Sequence, residues 1–375
     1  MILGLIVDNV VLDALIRLGV IMLLVPVYMV IITWAERKVI GRLHMRLGPM
    51  RVGPYGLLQG LADTIKLMTK EDLRPTTADR WVFELAPFAI VVPIIMALVA
   101  LPFTADILIR NLTLGLFYIV ALQGLSIVGF VMAGFGSDNK YALIGGVRAA
   151  AQLISYEVPF ILSILAVAMV ASTLDISAIV GLQGSTPLIA YLPLAFVIFV
   201  IAGLAELYRQ PFDIPVAESE VVGGPFVEYS GIRWSMFQLG EFVSMVLISI
   251  LGSLIFLGGW QWPLGGDVPV VGQMALMAVK TTGFILFFML MRASLPRLRV
   301  DQLMAYCWQL LLPFAFLQII INGLVLAYDW PNWTMTVMSL AALGALLYLT
   351  NRAARQSGVT YQPSTASAQR VGSVL

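Results

Sequence analysis

Eight long apolar runs dominate the chain, at roughly 12–34, 83–101, 114–135, 149–171, 188–207, 237–257, 273–291 and 304–326. Each approaches the length of about 17–25 residues that a helix needs to cross a bilayer. A water-soluble core has no use for so many. The composition agrees: of 375 residues, 60% are hydrophobic and only 11% charged, against about 25% charged in an ordinary globular domain. A soluble enzyme is excluded. A further run, Thr334 to Leu349, has 16 residues, with Trp330 and Trp333 before it and Tyr348, Arg352 and Arg355 around its end. Those flanking residue types are interfacial anchors, so a ninth helix is expected. The N-terminus carries Asp8 and Asp13 and no basic segment. With so long a first run, it reads as a retained helix rather than a cleaved signal peptide.

The expected fold class is therefore an all-α polytopic membrane protein. It has eight core transmembrane helices plus a ninth, with an amphipathic surface helix in the first cytoplasmic loop. Residues 1–375 form one transmembrane domain, with a first loop at 35–80, an acidic loop at 206–236, and a C-terminal extension at 328–375 holding the ninth helix and a polar tail.

Net charge is only +1, so electrostatic information lies in where the charges fall. The loop between the first two runs holds Arg37, Lys38, Arg42, Arg46, Arg51, Lys66, Lys70, Arg74 and Arg80. The 3–4 loop adds Lys140 and Arg148, the 5–6 loop Arg209 and Arg233, and the 7–8 loop Arg292, Arg297 and Arg299, whereas the alternate loops hold only Arg110. Positive charge collects on the cytoplasmic side. The N-terminus is thus expected outside, and a ninth span returns Arg352, Arg355 and Arg370 to the basic side.

One cysteine, Cys307, and one histidine, His44, exclude a disulfide framework, an iron–sulfur cluster held by this chain alone and an HExxH zinc site. Neither GxGxxG nor GxxxxGK[ST] occurs, so nucleotide and flavin binding are not expected of the chain. Nothing points to nucleic acid.

The first loop, about 48 residues long, is too long for a connector. After Gly48-Pro49-Met50-Arg51-Val52-Gly53-Pro54, the residues Leu57, Leu58, Leu61, Ile65 and Met68 recur at helical spacing. They describe an amphipathic helix on the membrane surface. Asp63 and Lys66, three apart, are neighbours on it. The basic residues serve equally as headgroup anchors and topology signals.

Acids gather elsewhere. Glu206, Asp213, Glu218, Glu220 and Glu228 lie in the 5–6 loop, with Glu241 at the start of the sixth run and Glu157 beside Pro159 in the fourth. A charge at mid-membrane costs about 2.5–3.5 kcal/mol on insertion scales. These acids are paired, hydrated or protonated. A hydrated proton path and a set of inter-helix hydrogen bonds both meet that demand. Pro159, Gly145-Gly146 and Gly223-Gly224-Pro225 are expected to weaken regular helix near them, either along a polar passage or at packing kinks.

Several strings then become recognisable. They are Ala35-Glu36-Arg37-Lys38-Val39, Gly48-Pro49 with Val52-Gly53-Pro54, Ala62-Asp63 with Lys66-Leu67, and Lys70-Glu71-Asp72. Further along stand Asn139-Lys140-Tyr141-Ala142-Leu143, Arg148-Ala149-Ala150-Ala151-Gln152, Ser155-Tyr156-Glu157-Val158, and Arg209 with Pro211-Phe212-Asp213. Ala217-Glu218-Ser219-Glu220, Glu228-Tyr229-Ser230-Gly231, Arg292-Ala293-Ser294-Leu295-Pro296-Arg297 and Asp301-Gln302-Leu303 complete the series. In this order the chain resembles, over roughly residues 35–315, the H-subunit family of proton-pumping NADH:quinone oxidoreductase, respiratory complex I. It departs from the family pattern at Met50, Leu207, Tyr208, Val216 and Gln309, and in the tail beyond about Tyr328.

The resemblance implies a membrane subunit that joins the membrane arm to the electron-transferring arm and forms part of the quinone chamber. Arg37, Asp63, Lys66, Phe212 and Arg299 are the residues it implies at that chamber, and Glu157, Glu206, Asp213, Glu218, Glu220, Glu228 and Glu241 those that couple quinone reduction to proton movement. It implies quinone as substrate, no cofactor on this chain, and FMN and iron–sulfur clusters in partner subunits. The implied partners are peripheral quinone-site subunits, small membrane subunits and the lipid bilayer, in a bacterial-type inner (plasma) membrane. The nearest alternative is a homologous anchor of a membrane-bound hydrogenase or ferredoxin-linked complex, and the number of matching loop motifs favours the quinone enzyme. A stand-alone ion transporter would show two related halves with broken helices, and no such repeat appears.

Overall fold

A computed structural model of the chain describes residues 10–105, 108, 110–184, 186–262 and 269–356. Among these residues every regular element is helical. In chain order they are α1 (Val10–Leu43), α2 (Gln59–Thr69), α3 (Arg80–Leu98), α4 (Gly115–Gly136), α5 (Lys140–Ala171), α6 (Ile176–Leu182) and α7 (Pro193–Glu206). There follow α8 (Glu218–Val221), α9 (Gly231–Leu257), α10 (Val270–Ser294), α11 (Val300–Tyr306), α12 (Leu312–Ala327) and α13 (Asn332–Gln356). A π turn at Cys307–Leu311 joins α11 to α12 in one continuous rod.

Among the described residues, α3, α4, α5, α9, α10, the α11–α12 rod and α13 are long and apolar enough to cross a membrane, and α7 is a shorter apolar helix. In α1 the stretch 18–35 carries no charge. The protein is thus a multi-pass membrane protein, and each apolar run of the sequence overlaps a helix.

Where the bounds differ, a local cause is visible. The fifth run is shorter than its hydropathy implies, because α7 begins only at Pro193, which suits a first helical turn. Before it the chain makes the 3-10 turn Leu188–Ala190. The buried Gln183 holds that turn, accepting from Leu188 N–H and donating to Leu254 C=O. α13 is longer than the 16 residues of its apolar run, since Thr350, Asn351 and Arg352 continue the helix at its polar end. Gly145 and Gly146 do not weaken α5. They let backbones touch: a Cβ on Gly145 would overlap Gly224, and one on Gly146 would crowd Gly134 of α4. The irregularity falls instead at Val222, Gly223 and Gly224, all at positive φ.

α5 is the hub, packing against α4, α7 and α12, while α3 lies between α4 and α9. An aromatic ladder crosses the core, from Phe160 of α5 to Phe199 of α7 at 5.0 Å between ring centroids, on to Phe256 of α9 at 5.3 Å, and through Phe196 to Phe284 of α10 at 5.9 Å. These spacings fall in the range where aromatic pairs attract. α1 rests on α9 and α10, with α2 laid against both α1 and α9.

Two polar features hold the bundle's periphery. Lys280 of α10 donates to Leu257, Gly259 and Gln261 carbonyls at 2.7, 2.7 and 2.9 Å. Its charge thereby meets the negative end of α9. α13 docks through buried groups: Ser339 Oγ accepts from Leu194 N–H, near the start of α7, and donates to Gln318 Oε1. Gln318 donates to Asn322 Oδ1, and Asn322 to the Ala166 carbonyl of α5.

Candidate functional site

Two carboxylates meet at one small cavity. Glu157 of α5 and Glu206, the last residue of α7, line it with Gln123 and Gly124 of α4, Ser126, Ser244 and Phe160. The cavity measures about 20 Å³, enough for one water molecule. Gln123 Nε2 donates to Glu206 Oε2, while Gln123 Oε1 has no protein partner. Gly124 is what lets Glu157 reach this point, because any Cβ there would overlap its Oε1. Acids this close repel when both are charged. Two carboxyl groups and one water in such a site can share a proton.

A second cluster lies where α1, α10 and the acidic loop converge. Arg209 Nη1 stands 2.6 Å from Glu36 Oε1, both side chains being almost wholly buried. Arg292 of α10 reaches the same oxygen. The Arg209 guanidinium also lies over the Phe242 ring, 4.7 Å from its centroid. Glu241 of α9 feels the charges of Arg209, Arg292, Asp213 and Glu36, and Asp213 pairs with Arg297 at 2.6 Å. Gln152 of α5 pins the loop from below, donating to the Ala205 and Phe212 carbonyls. Phe212 itself is buried against Tyr156, their ring centroids 5.4 Å apart.

The first loop makes a third group. Arg37 bonds Asp63 at 2.7 Å, Gln59 donates to the other oxygen at 3.1 Å, and Lys66 lies 3.8 Å away. Burial alone would raise the Asp63 pKa. Hydrogen bonds from Arg37 and Gln59, with the charges of Arg37 and Lys66, outweigh it and hold the carboxyl below its ordinary value. The small and polar face of α2 is turned to the protein, with Gly60 against Val30 of α1. Leu61, Ile65 and Met68 stay exposed, an apolar stripe at i, i+4 and i+7. Beyond α2 the chain is tied to α9: Leu73 N–H donates to Ser230 Oγ, and Asp72 pairs with Arg233 at 3.1 Å.

Of the residues expected at a quinone chamber, the fold brings Arg37, Asp63 and Lys66 together. It places Phe212 within the core of the acidic loop and leaves Arg299 exposed at the start of α11. Of the acids, Glu157 and Glu206 share a cavity, and Asp213 and Glu241 belong to the Glu36–Arg209 cluster. Glu228 accepts from Asn139 at 2.6 Å, and the exposed Glu220 pairs with Arg148 at 2.7 Å. The Glu218 side chain lies outside the described residues. Sequence reasoning did not single out Glu36 or Gln123. Glu36 carries a faint signal, as one acid beside Arg37, Lys38 and Arg42. Neighbours on a helix point about 100° apart, so Arg37 turns to α2 while Glu36 turns inward. Among the described residues no group of three or more His, Cys, Asp or Glu is arranged to hold a metal ion.

Fold and site together define a multi-pass helical membrane protein with paired acids between its spans and a clamped amphipathic loop at one end. The chain belongs to the NADH dehydrogenase family, whose family model matches residues 16–323. It is similar to a Brevibacillus brevis protein named as the H subunit of NADH-quinone oxidoreductase, 43% identical over 310 residues, covering 82% of this chain and 92% of the relative. A Geobacter sulfurreducens protein, named as the second H subunit of its NADH-quinone oxidoreductase, is 44% identical over 306 residues, 79% of this chain and 91% of its own. The corresponding H subunit of Dehalococcoides mccartyi strain CBDB1 is 39% identical over 330 residues, 88% and 92% of the two chains. The family match ends before α13.

Proposed function

We propose that this chain is the membrane subunit of an NADH-quinone oxidoreductase complex that bounds part of the quinone chamber and couples quinone reduction to proton translocation. The observation that carries the reading is the pair Glu157 and Glu206 at one water-sized cavity, with Gln123 bonded to one of them. A water there accepts a proton from one carboxylic acid and donates one to the other carboxylate. The proton crosses between α5 and α7 without either charge entering lipid.

The Glu36–Arg209–Arg292 cluster with Glu241 and Asp213 lies on the loop side of that cavity and carries the electrostatic signal of quinone chemistry inward, with Glu218, Glu220 and Glu228 along the loop. Arg37, Asp63 and Lys66 form the polar margin of the quinone entrance, where the exposed stripe of α2 meets lipid and admits an apolar tail. Phe212 and Arg299 complete the chamber on the loop side. The flavin and iron–sulfur clusters reside in peripheral partner subunits, and small membrane subunits receive the proton relay. The N-terminus lies outside and the basic loops face the cytoplasm of a bacterial-type membrane.

The test is Glu157→Gln and Glu206→Gln in the assembled complex. Quinone reduction or proton yield falls in each while assembly persists. Normal turnover with normal proton yield in both variants overturns the reading.

A further inference from the structure

α5 and the rod packed against it each carry a proline. Pro159 has no N–H, so the Ser155 carbonyl, four residues earlier in α5, has no helical donor. On the facing rod Pro313 stands at the start of α12, and the turn before it widens to a π turn over Cys307–Leu311, closed by Leu312 N–H on the Cys307 carbonyl. Such turns often mark functional points in a helix.

The wide turn supplies the donor that Pro159 cannot. The buried Cys307 Sγ–H donates to the freed Ser155 carbonyl at 3.0 Å, and Trp308 Nε1–H donates to Ser155 Oγ at 3.3 Å. In return Tyr156 O–H donates to the Leu303 carbonyl at 3.0 Å. Both anchored residues immediately precede Glu157. Because a helix advances about 100° per residue, the setting of α5 at 155–156 decides where the Glu157 carboxylate is aimed. Tolerance is small, for it must pass Gly124 to reach the cavity.

We propose that Cys307 and Trp308 are positioning residues: by holding Ser155 they fix the setting of α5 just before Pro159 and keep Glu157 facing Glu206 across the cavity. This rests on the reading of Glu157 and Glu206 as proton carriers. Among the described side-chain hydrogen bonds, only that of Cys307 meets the Ser155 carbonyl, and a hydroxyl at 307 would serve as well as a thiol.

The test uses the assembled complex in membranes and reads quinone reduction and proton yield per quinone reduced. Cys307→Ala removes the donor and lowers proton yield about three- to tenfold, the range expected for one hydrogen bond. Cys307→Ser keeps a donor and restores it. Pro159→Ala gives Ser155 its helical donor back, so adding Cys307→Ala to Pro159→Ala costs less than Cys307→Ala alone. If Cys307→Ala does not assemble, Trp308→Phe, which keeps the ring and loses the N–H at a half-exposed position, carries the same expectation. Equal losses in the alanine and serine variants, or unchanged proton yield in Cys307→Ala and Trp308→Phe, overturn the proposal. If Glu157→Gln is itself without effect, the relay fails and not merely its positioning.

Discussion

Glu36 and Arg209, 173 positions apart in the chain, form an ion pair of 2.6 Å with side chains only 6% and 3% exposed. Arg292 shares the same carboxylate oxygen. One carboxylate therefore joins α1, the acidic loop and α10, in surroundings that screen it little. Removing one partner of a buried pair leaves the other charge uncompensated and costs about 3–5 kcal/mol. Glu36→Gln, which strands two guanidinium groups, is expected to lower the thermal midpoint of the assembled complex more than Asp63→Asn does. Differential scanning in detergent measures the difference.

Gly124 makes a sharper test of the cavity than either acid, because it changes geometry without changing charge. Gly124→Ala places a methyl where the Glu157 carboxylate now lies, and overpacking of this kind costs about 1–3 kcal/mol. The variant is expected to assemble and to lose proton yield together with Glu157→Gln. Proton-pumping assays on inverted vesicles read the outcome.

The Arg37–Asp63 pair sets a pH dependence with a definite sign. The folded Asp63 pKa lies below the ordinary value, so its contribution is full above about pH 4, the unfolded value, and fades as pH falls through the folded one. An ion pair this exposed contributes about 0.2–1 kcal/mol. Hydrogen exchange of the α2 amides, taken relative to the intrinsic rate of each amide at that pH, is expected to quicken below about pH 4 in the parent chain. In Asp63→Asn it is already faster at neutral pH and carries no such step.

Ser339 supplies the N–H of Leu194 with the acceptor that α7 lacks from its own side chains. Removing a cap of this kind costs about 0.5–2 kcal/mol, and the Gln318 oxygen loses its donor as well. Ser339→Ala is expected to lower the melting temperature in detergent, and Ser339→Thr to recover most of the loss.

The docking of α13 also bears on topology. If α13 crosses the membrane, its polar end and the tail share the side of the basic loops. Ser364→Cys in a Cys307→Ser background, a position in the tail beyond the described residues, is then expected to resist an impermeant thiol reagent added outside intact cells. Ready labelling from outside would exclude the ninth span.

The long apolar helices among the described residues were legible because an apolar run of bilayer length has few alternatives: lipid offers no hydrogen bonds, so the backbone must satisfy itself within the segment. The surface helix was legible from its 57–68 stripe, and so was the Asp63–Lys66 neighbourhood, which follows from spacing on one helix. The acids at 157, 206 and 241 were conspicuous because charge in an apolar run is rare. Glu36 and Gln123 were not. Glu36 looks like one more interfacial charge, and Gln123 like an ordinary polar residue, until a distant residue arrives beside it.

The local sequence by itself determined which segments are helices and how basic residues alternate between successive loops, since these follow from backbone hydrogen bonding and the cost of charge in hydrocarbon. Only the tertiary structure decided which acids share a cavity, which arginines share Glu36, and that Gly145 serves packing while Gly124 makes room for Glu157. It alone brought the Cys307 thiol to the carbonyl that Pro159 leaves free. Apolar patterning fixes that a helix faces lipid or protein without saying which neighbour it meets. The pairing is settled by side-chain volumes and polar partners from segments as much as 256 residues apart.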